Sequence, residues 1–204
     1  YVSGSLAITA RPITLTADNQ TKVYGNTLSL GNTAFTHTAG TFANSELATA
    51  VTLTSANGYA ASTTQSVNTA YANEIAPTSA TGTAGFLASN YDITYISGSL
   101  AITARPITLT ATNRTKVYGD TLTLGTSAFT KTAGTFANSE SATAVTLTSA
   151  NSYDASTTQA VNAGYANEVV PTSATGTGGF LASNYNITYV SGSLAITARP
   201  ITLT

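Results

Sequence analysis

The sequence predicts a mainly β protein: two tandem β-sandwich-like (Ig-like) modules with one short helical segment each, stacked as a rod. Three observations carry this prediction. Apolar and polar residues alternate with period two through much of the chain, the pattern of half-buried strands. One segment occurs three times at a fixed spacing, so the chain is an array. Where two copies meet, the apolar phase shifts by one residue across an Arg-Pro pair, and no Gly/Ser-rich linker intervenes. A β-grasp-like module, with a helix crossing a curled four- or five-stranded sheet, is the alternative.

Tyr1–Thr16 returns at Tyr95–Thr110 with Ile96 in place of Val2, and again unchanged at Tyr189–Thr204, each time 94 residues on. Arg11–Ala104 aligns on Arg105–Ala198 without a gap and with 18 differences. The organisation read from this is the terminal strand of a preceding repeat (1–10), repeat module 1 (11–104), repeat module 2 (105–198) and the first strand of a following repeat (199–204). Without an initiator Met or signal peptide, the chain is expected to be a piece of a longer array. Most differences exchange one polar residue for another or introduce a charge, as in Asp18/Thr112, Asn26/Asp120, His37/Lys131 and Ala60/Asp154. Such positions are expected to face solvent, because an unpartnered charge is costly in a core. All five Tyr and three Phe of the first copy recur in the second. They are read as core residues, with a sugar-stacking platform as the sharper reading.

Taken in order along one copy, Ile13-Thr-Leu15-Thr-Ala17 alternates cleanly, and Lys22-Val23-Tyr24-Gly25 reads as a short strand ending on a glycine kink. Ala43–Ala50 offers an Asn or Ser cap, an early Glu and Ala-rich helix formers, which predicts one or two helical turns. Val51-Thr-Leu53-Thr and Tyr91-Asp-Ile93-Thr-Tyr95 alternate again. Asn57-Gly58 predicts a turn, although the second copy has Asn151-Ser152 there, and Ser97-Gly98 predicts a tight hairpin into Ser99–Thr103. About seven short strands per copy suit a sandwich. At the junction, Leu100 and Ile102 precede Arg105-Pro106 in even phase, and Ile107 and Leu109 follow in odd phase. One extended segment is therefore expected to close one module and open the next.

Composition removes several functions. Seven basic against eight acidic residues leave a net charge of −1, so nothing marks a nucleic-acid surface. No apolar run is long enough to span or insert in a membrane. The absence of Cys removes disulfides and thiolate sites, and a single His, His37, leaves little general-base chemistry. Charged residues are only 7% of the chain, against roughly 25% in an ordinary domain; 42 Thr supply much of the polar surface instead.

The carboxylates present in both copies are Glu46/Glu140 and Glu74/Glu168, read as a helix N-terminal charge and a loop charge. No catalytic, cofactor-binding or metal-binding residues are assigned, and no cofactor is expected: the acids are too scattered for a glycosidase pair or a calcium loop. The glycine-containing stretches Ala80–Gly85 and Gly176–Gly179 lack the Lys and helix of a phosphate loop. Lys22 and Lys116 are read as strand-edge lysines, with an isopeptide cross-link to an Asn, assisted by Glu74 or Glu46, as the alternative. Asn19, Asn113 and Asn186 open Asn-x-Thr triplets that match a glycosylation acceptor.

Thr21-Lys-Val-Tyr-Gly25 near the start of the unit and Asn90–Thr103 at its end, repeated at Thr115–Gly119 and Asn184–Thr197, resemble the MBG-type modules. They are also similar to the related YDG-type modules of very large bacterial surface adhesins. The resemblance covers essentially the whole chain. It implies filamentous-haemagglutinin-like exoproteins, secreted to the surface of a Gram-negative bacterium, and brings no catalytic residues. Under it the expected function is that of stalk or spacer repeats projecting a distal binding domain, with multivalent glycan- or protein-binding adhesive modules as the alternative. Its expected partners are neighbouring repeats of the same chain and, through other domains, a host-surface glycan or protein.

Overall fold

The computed structural model describes residues 2–203, so Tyr1 and Thr204, at the outer ends of the two terminal fragments, lie outside the described residues. The chain divides into two compact units, Tyr1–Thr103 and Ala104–Thr204. The first holds seven strands: β1 (Arg11–Ala17), β2 (Gln20–Val23), β3 (Phe35–Gly40), β4 (Leu47–Ser55), β5 (Asn68–Thr83), β6 (Tyr91–Ile96) and β7 (Gly98–Thr103). The second repeats them as β8 (Arg105–Ala111), β9 (Arg114–Val117), β10 (Phe129–Gly134), β11 (Ser141–Ser149), β12 (Asn162–Thr177), β13 (Tyr185–Val190) and β14 (Gly192–Thr197). Each unit is a pair of sheets, three-stranded in the order β3-β1-β6 and four-stranded in the order β2-β7-β5-β4 in the first. Only Ala104 separates β7 from β8.

The alternating pattern sets the core. Ile13, Leu15 and Ala17 of β1 turn inward, as do Val51 and Leu53 of β4 and Leu100 and Ile102 of β7, while the Thr residues between them face outward. Aliphatic side chains dominate this core. Tyr24, Phe86 and Tyr91 are buried, whereas Phe35, Phe42, Tyr59, Tyr71 and Tyr95 are only half-buried, so the expectation of eight core aromatics holds for three.

The chain ends of each unit pair in parallel. Arg11↔Tyr91 through Thr16↔Ile96 joins β1 to β6, and Gln20↔Leu100 through Val23↔Thr103 joins β2 to β7, at one constant offset of 80 residues. Both segments cross from the first sheet to the second at the same place. There the Ser99 amide donates to Asn19 Oδ1 at 2.8 Å. This corrects the predicted hairpin at Ser97-Gly98: a single residue, Ser97, links β6 to β7, which lie in different sheets. Gly98 is required by the crossing rather than by a turn, since a Cβ there would stand 2.6 Å from the Ala17 carbonyl oxygen.

A second correction concerns Ala43–Ala50. Asn44 and Ser45 take φ of 51° and 62°, left-handed values that stop a right-handed helix, and Leu47 already begins β4. The short helical segment of each unit is instead a single 3₁₀ turn, Ala88–Asn90 and Ala182–Asn184. Asn57-Gly58 does turn, with Ser152 reaching φ 60° where Gly58 has 76°. It opens a twelve-residue connection from β4 to β5 rather than a tight hairpin.

Residues 2–10 and 198–203 form no regular element. A strand needs ladder partners, and Gly4–Thr9 has none among the described residues. Leu6 and Ile8 are accordingly 87% and 88% exposed, whereas the same side chains in β7, Leu100 and Ile102, are 0% and 1% exposed.

Because the crossing leaves no room for a methyl group, Gly98→Ala is expected to destabilise the first unit by about 1–3 kcal/mol, the usual cost of overpacking. Urea denaturation followed by circular dichroism checks this; an unchanged midpoint would contradict the close approach.

Candidate functional site

The polar chemistry concentrates in three places, the first two present in both units and the third described in the second. The first is a buried cluster around Glu74, whose carboxylate is fully enclosed. It accepts hydrogen bonds from Ser55 Oγ, from Asn57 Nδ2 at 2.8 Å and from the Tyr59 amide at 3.0 Å. Burial by itself raises the Glu74 carboxyl, but the hydrogen bonds from Ser55, Asn57 and Tyr59 outweigh it and hold the group below the usual carboxylate range. Opposite lies Lys22, buried on β2, whose ammonium donates to the carbonyls of Tyr59, Ala60 and Ser62. Burial lowers its pKa, partly offset by the Glu74 charge. Carboxylate and ammonium thus grip the donors and acceptors of one loop. Glu168 and Lys116 repeat the arrangement with Ser149, Asn151 and Tyr153.

This corrects two readings. Glu74 is a buried anchor rather than a solvated loop charge, and Lys22 and Lys116 are buried rather than sitting at an exposed strand edge. For the cross-link alternative, the Lys22 ammonium is spent on backbone carbonyls and the Asn57 carboxamide on Glu74.

The second place is Glu46, buried as well and therefore no helix N-terminal charge. Its Oε2 accepts the Tyr91 hydroxyl at 2.6 Å, and the Ala43 amide donates to the same hydroxyl at 2.9 Å. Burial and then the bond to Glu46 push the Tyr91 phenol above its ordinary value. A cavity of about 430 Å³ opens here, lined by Arg11, Asn44, Glu46, Ser89, Asn90 and Tyr91 among others. No second carboxylate lines it, and Arg11 donates to Thr41 at 2.8 Å. Glu46 and Glu74 bind separate sets of partners and form no acid/base pair. Among the described residues no three His, Asp or Glu side chains group as a metal site, and no helix is long and apolar enough to cross a membrane.

The third place went unread in the sequence. Arg199, which opens the trailing fragment, donates from Nε to the Tyr118 carbonyl at 2.8 Å, and its guanidinium pairs with Asp120. Gly119 takes φ of 90°, a left-handed value that favours glycine in the Tyr-Gly-Asp turn, and its α-carbon lies close under that guanidinium. Asn19 and Asn113 are engaged as well, accepting the Ser99 and Ser193 amides at 2.8 Å, while their triplets stay at the surface. The copy differences mostly face outward, but Ala60 is buried and Asp154 in its place is half-buried, its carboxylate accepting the Ala155 amide. The ring of His37 packs on Phe42 with centroids 4.6 Å apart.

Two stretches, residues 13–101 and 107–195, match the MBG domain (YGX type). The chain belongs to that family, and both Tyr-Gly pairs, Tyr24-Gly25 and Tyr118-Gly119, fall inside the matched stretches. No curated protein and no solved structure matches the chain.

The Glu74 cluster predicts an acid-sensitive stability. A carboxyl whose folded pKa lies below its unfolded value stabilises the fold at pH above the unfolded value, and that contribution fades as pH falls through the folded one. Glu74→Gln is expected to cost the first unit about 1–3 kcal/mol at neutral pH and to flatten the acid limb of its stability profile. Chemical denaturation across pH checks this, and an unaltered profile would contradict the anchoring role.

Proposed function

We propose that these repeats form part of the stalk of a bacterial cell-surface adhesin, outside the cell, where they hold a distal binding domain away from the envelope without catalysing a reaction. The observation that carries the reading is the constant-offset parallel pairing within each unit. The chain enters beside Tyr91 and leaves beside Val23, at opposite ends of the paired run. Tension between the two ends loads the evenly spaced bonds of both parallel ladders in shear, all together. An antiparallel pair pulled apart from one end instead gives up its bonds one by one. A spacer under flow needs the first geometry. Membership in the MBG family, near-identity of the copies, the single residue between β7 and β8, and the hold of Tyr118-Gly119-Asp120 on Arg199 all support repetition along a line of force.

Single-molecule stretching tests it. Pulled through its termini, the two-copy chain is expected to unfold in two similar events, at forces well above those needed when the handles are attached at Leu47 and Thr83. That pair sits at one end of the antiparallel β4–β5 ladder. Equal forces in the two geometries would remove the mechanical basis of the proposal.

A further inference from the structure

The connection from β4 to β5, residues 56–67, is twelve residues long where a hairpin of two to five would join antiparallel neighbours. It is nevertheless stiff. Besides the Glu74 and Lys22 bonds, the Ala60 amide donates to Ser55 Oγ at 3.0 Å, the Gln65 amide to Ser62 Oγ at 3.1 Å, and the Leu28 amide to the Ala60 carbonyl at 2.8 Å. A buried carboxylate and a buried ammonium are costly means of holding a loop of this length in one shape.

The loop's surface has a particular chemistry. Tyr59 is half-buried, its ring packed edge-on against Tyr71 at 4.8 Å between centroids. The Tyr71 hydroxyl is used up between Gln65 and Ser66, but that of Tyr59 has no partner among the described residues. The same loop carries Asn57, Thr64 and Ser66, all exposed. Lys22 and Glu74 bring opposite charges beneath the loop, and the loop itself carries none. The second unit presents Tyr153 against Tyr165 at the same 4.8 Å.

We infer that this loop is a binding site for neutral oligosaccharides, one in each repeat. The Tyr59 ring offers an amphipathic face to the C–H side of a sugar. Thr64 and the free phenol exchange hydrogen bonds with its hydroxyls, and the pinned backbone keeps the ordering cost low. The first loop is uncharged and the second carries only Asp154, so neither attracts sialylated or sulfated chains, and two copies on one chain add avidity. The inference is independent of the stalk proposal: failure to bind sugar leaves the stretching result untouched, and the reverse.

The test is titration of the two-copy chain against neutral oligosaccharides ending in galactose, glucose or mannose, beside sialylated and sulfated ones, by calorimetry and on an immobilised array. The expected result is saturable binding to a neutral glycan that drops at least about tenfold when Tyr59→Ala is combined with Tyr153→Ala. A second pair, Thr64→Lys with Thr158→Lys, places bulk on the rim at exposed positions and is expected to cause a similar loss with an unchanged unfolding midpoint. No saturable binding, binding confined to anionic glycans, or wild-type binding by the lysine pair would each overturn the assignment.

Discussion

Each unit depends on one pairing: the segment that opens it lies alongside the segment that closes it, parallel and at an offset of 80 residues, through two sheets in succession. A parallel pair cannot be made by a turn, so everything between residues 24 and 90 is a long return path. The long antiparallel β5, the β4 beside it and the β3 at the edge of the other sheet all lie on that path. The crossing point is the tightest place, where Gly98 closes on Ala17 and Asn19 caps the Ser99 amide. Leu15, Ile75, Leu100 and Ile102 then fill the space between the sheets with almost no exposure.

The pairing also fixes where charge is buried. β2 is only four residues long, and Lys22 at its centre points inward because its neighbours alternate outward. An ammonium in that position must find acceptors, and the loop carbonyls of Tyr59, Ala60 and Ser62 supply them. Glu74 supplies the matching acceptor for the loop's amides. The two ionised groups therefore act through the loop they share, which ties the β4–β5 half of the unit to the short parallel ladder of β2 and β7.

Much of this was legible in the sequence, and what was not has definite causes. The positions of β1, β2, β4, β6 and β7 followed from period two and the repeat from the 94-residue spacing, whereas β3 and the sixteen-residue β5, which do not alternate cleanly, went unread. Partnership did not follow either: Ser97-Gly98 has the composition of a hairpin, yet Gly98 is there because a carbonyl stands against its α-carbon. Ala43–Ala50 has helix-forming composition, but left-handed Asn44 and Ser45 and a buried Glu46 override it. Glu74 looked like a surface charge because Ser55 and Asn57, which bury it, lie 19 and 17 residues away. Arg199 looked like part of a strand start, since nothing local reveals that its guanidinium returns 79 residues to Asp120.

The central claim is that β1–β6 and β2–β7 are one cooperative ladder in spite of lying in two sheets. Native-state hydrogen exchange of the two-copy chain under mild denaturant tests it most directly. The account predicts that the ladder amides of Ile13–Thr16 and Ile93–Ile96 open together with those of Gln20–Val23 and Leu100–Thr103, at one common free energy equal to global unfolding. If the short β2–β7 ladder opened separately at a much lower free energy, the two sheets would be independent and the account would fail.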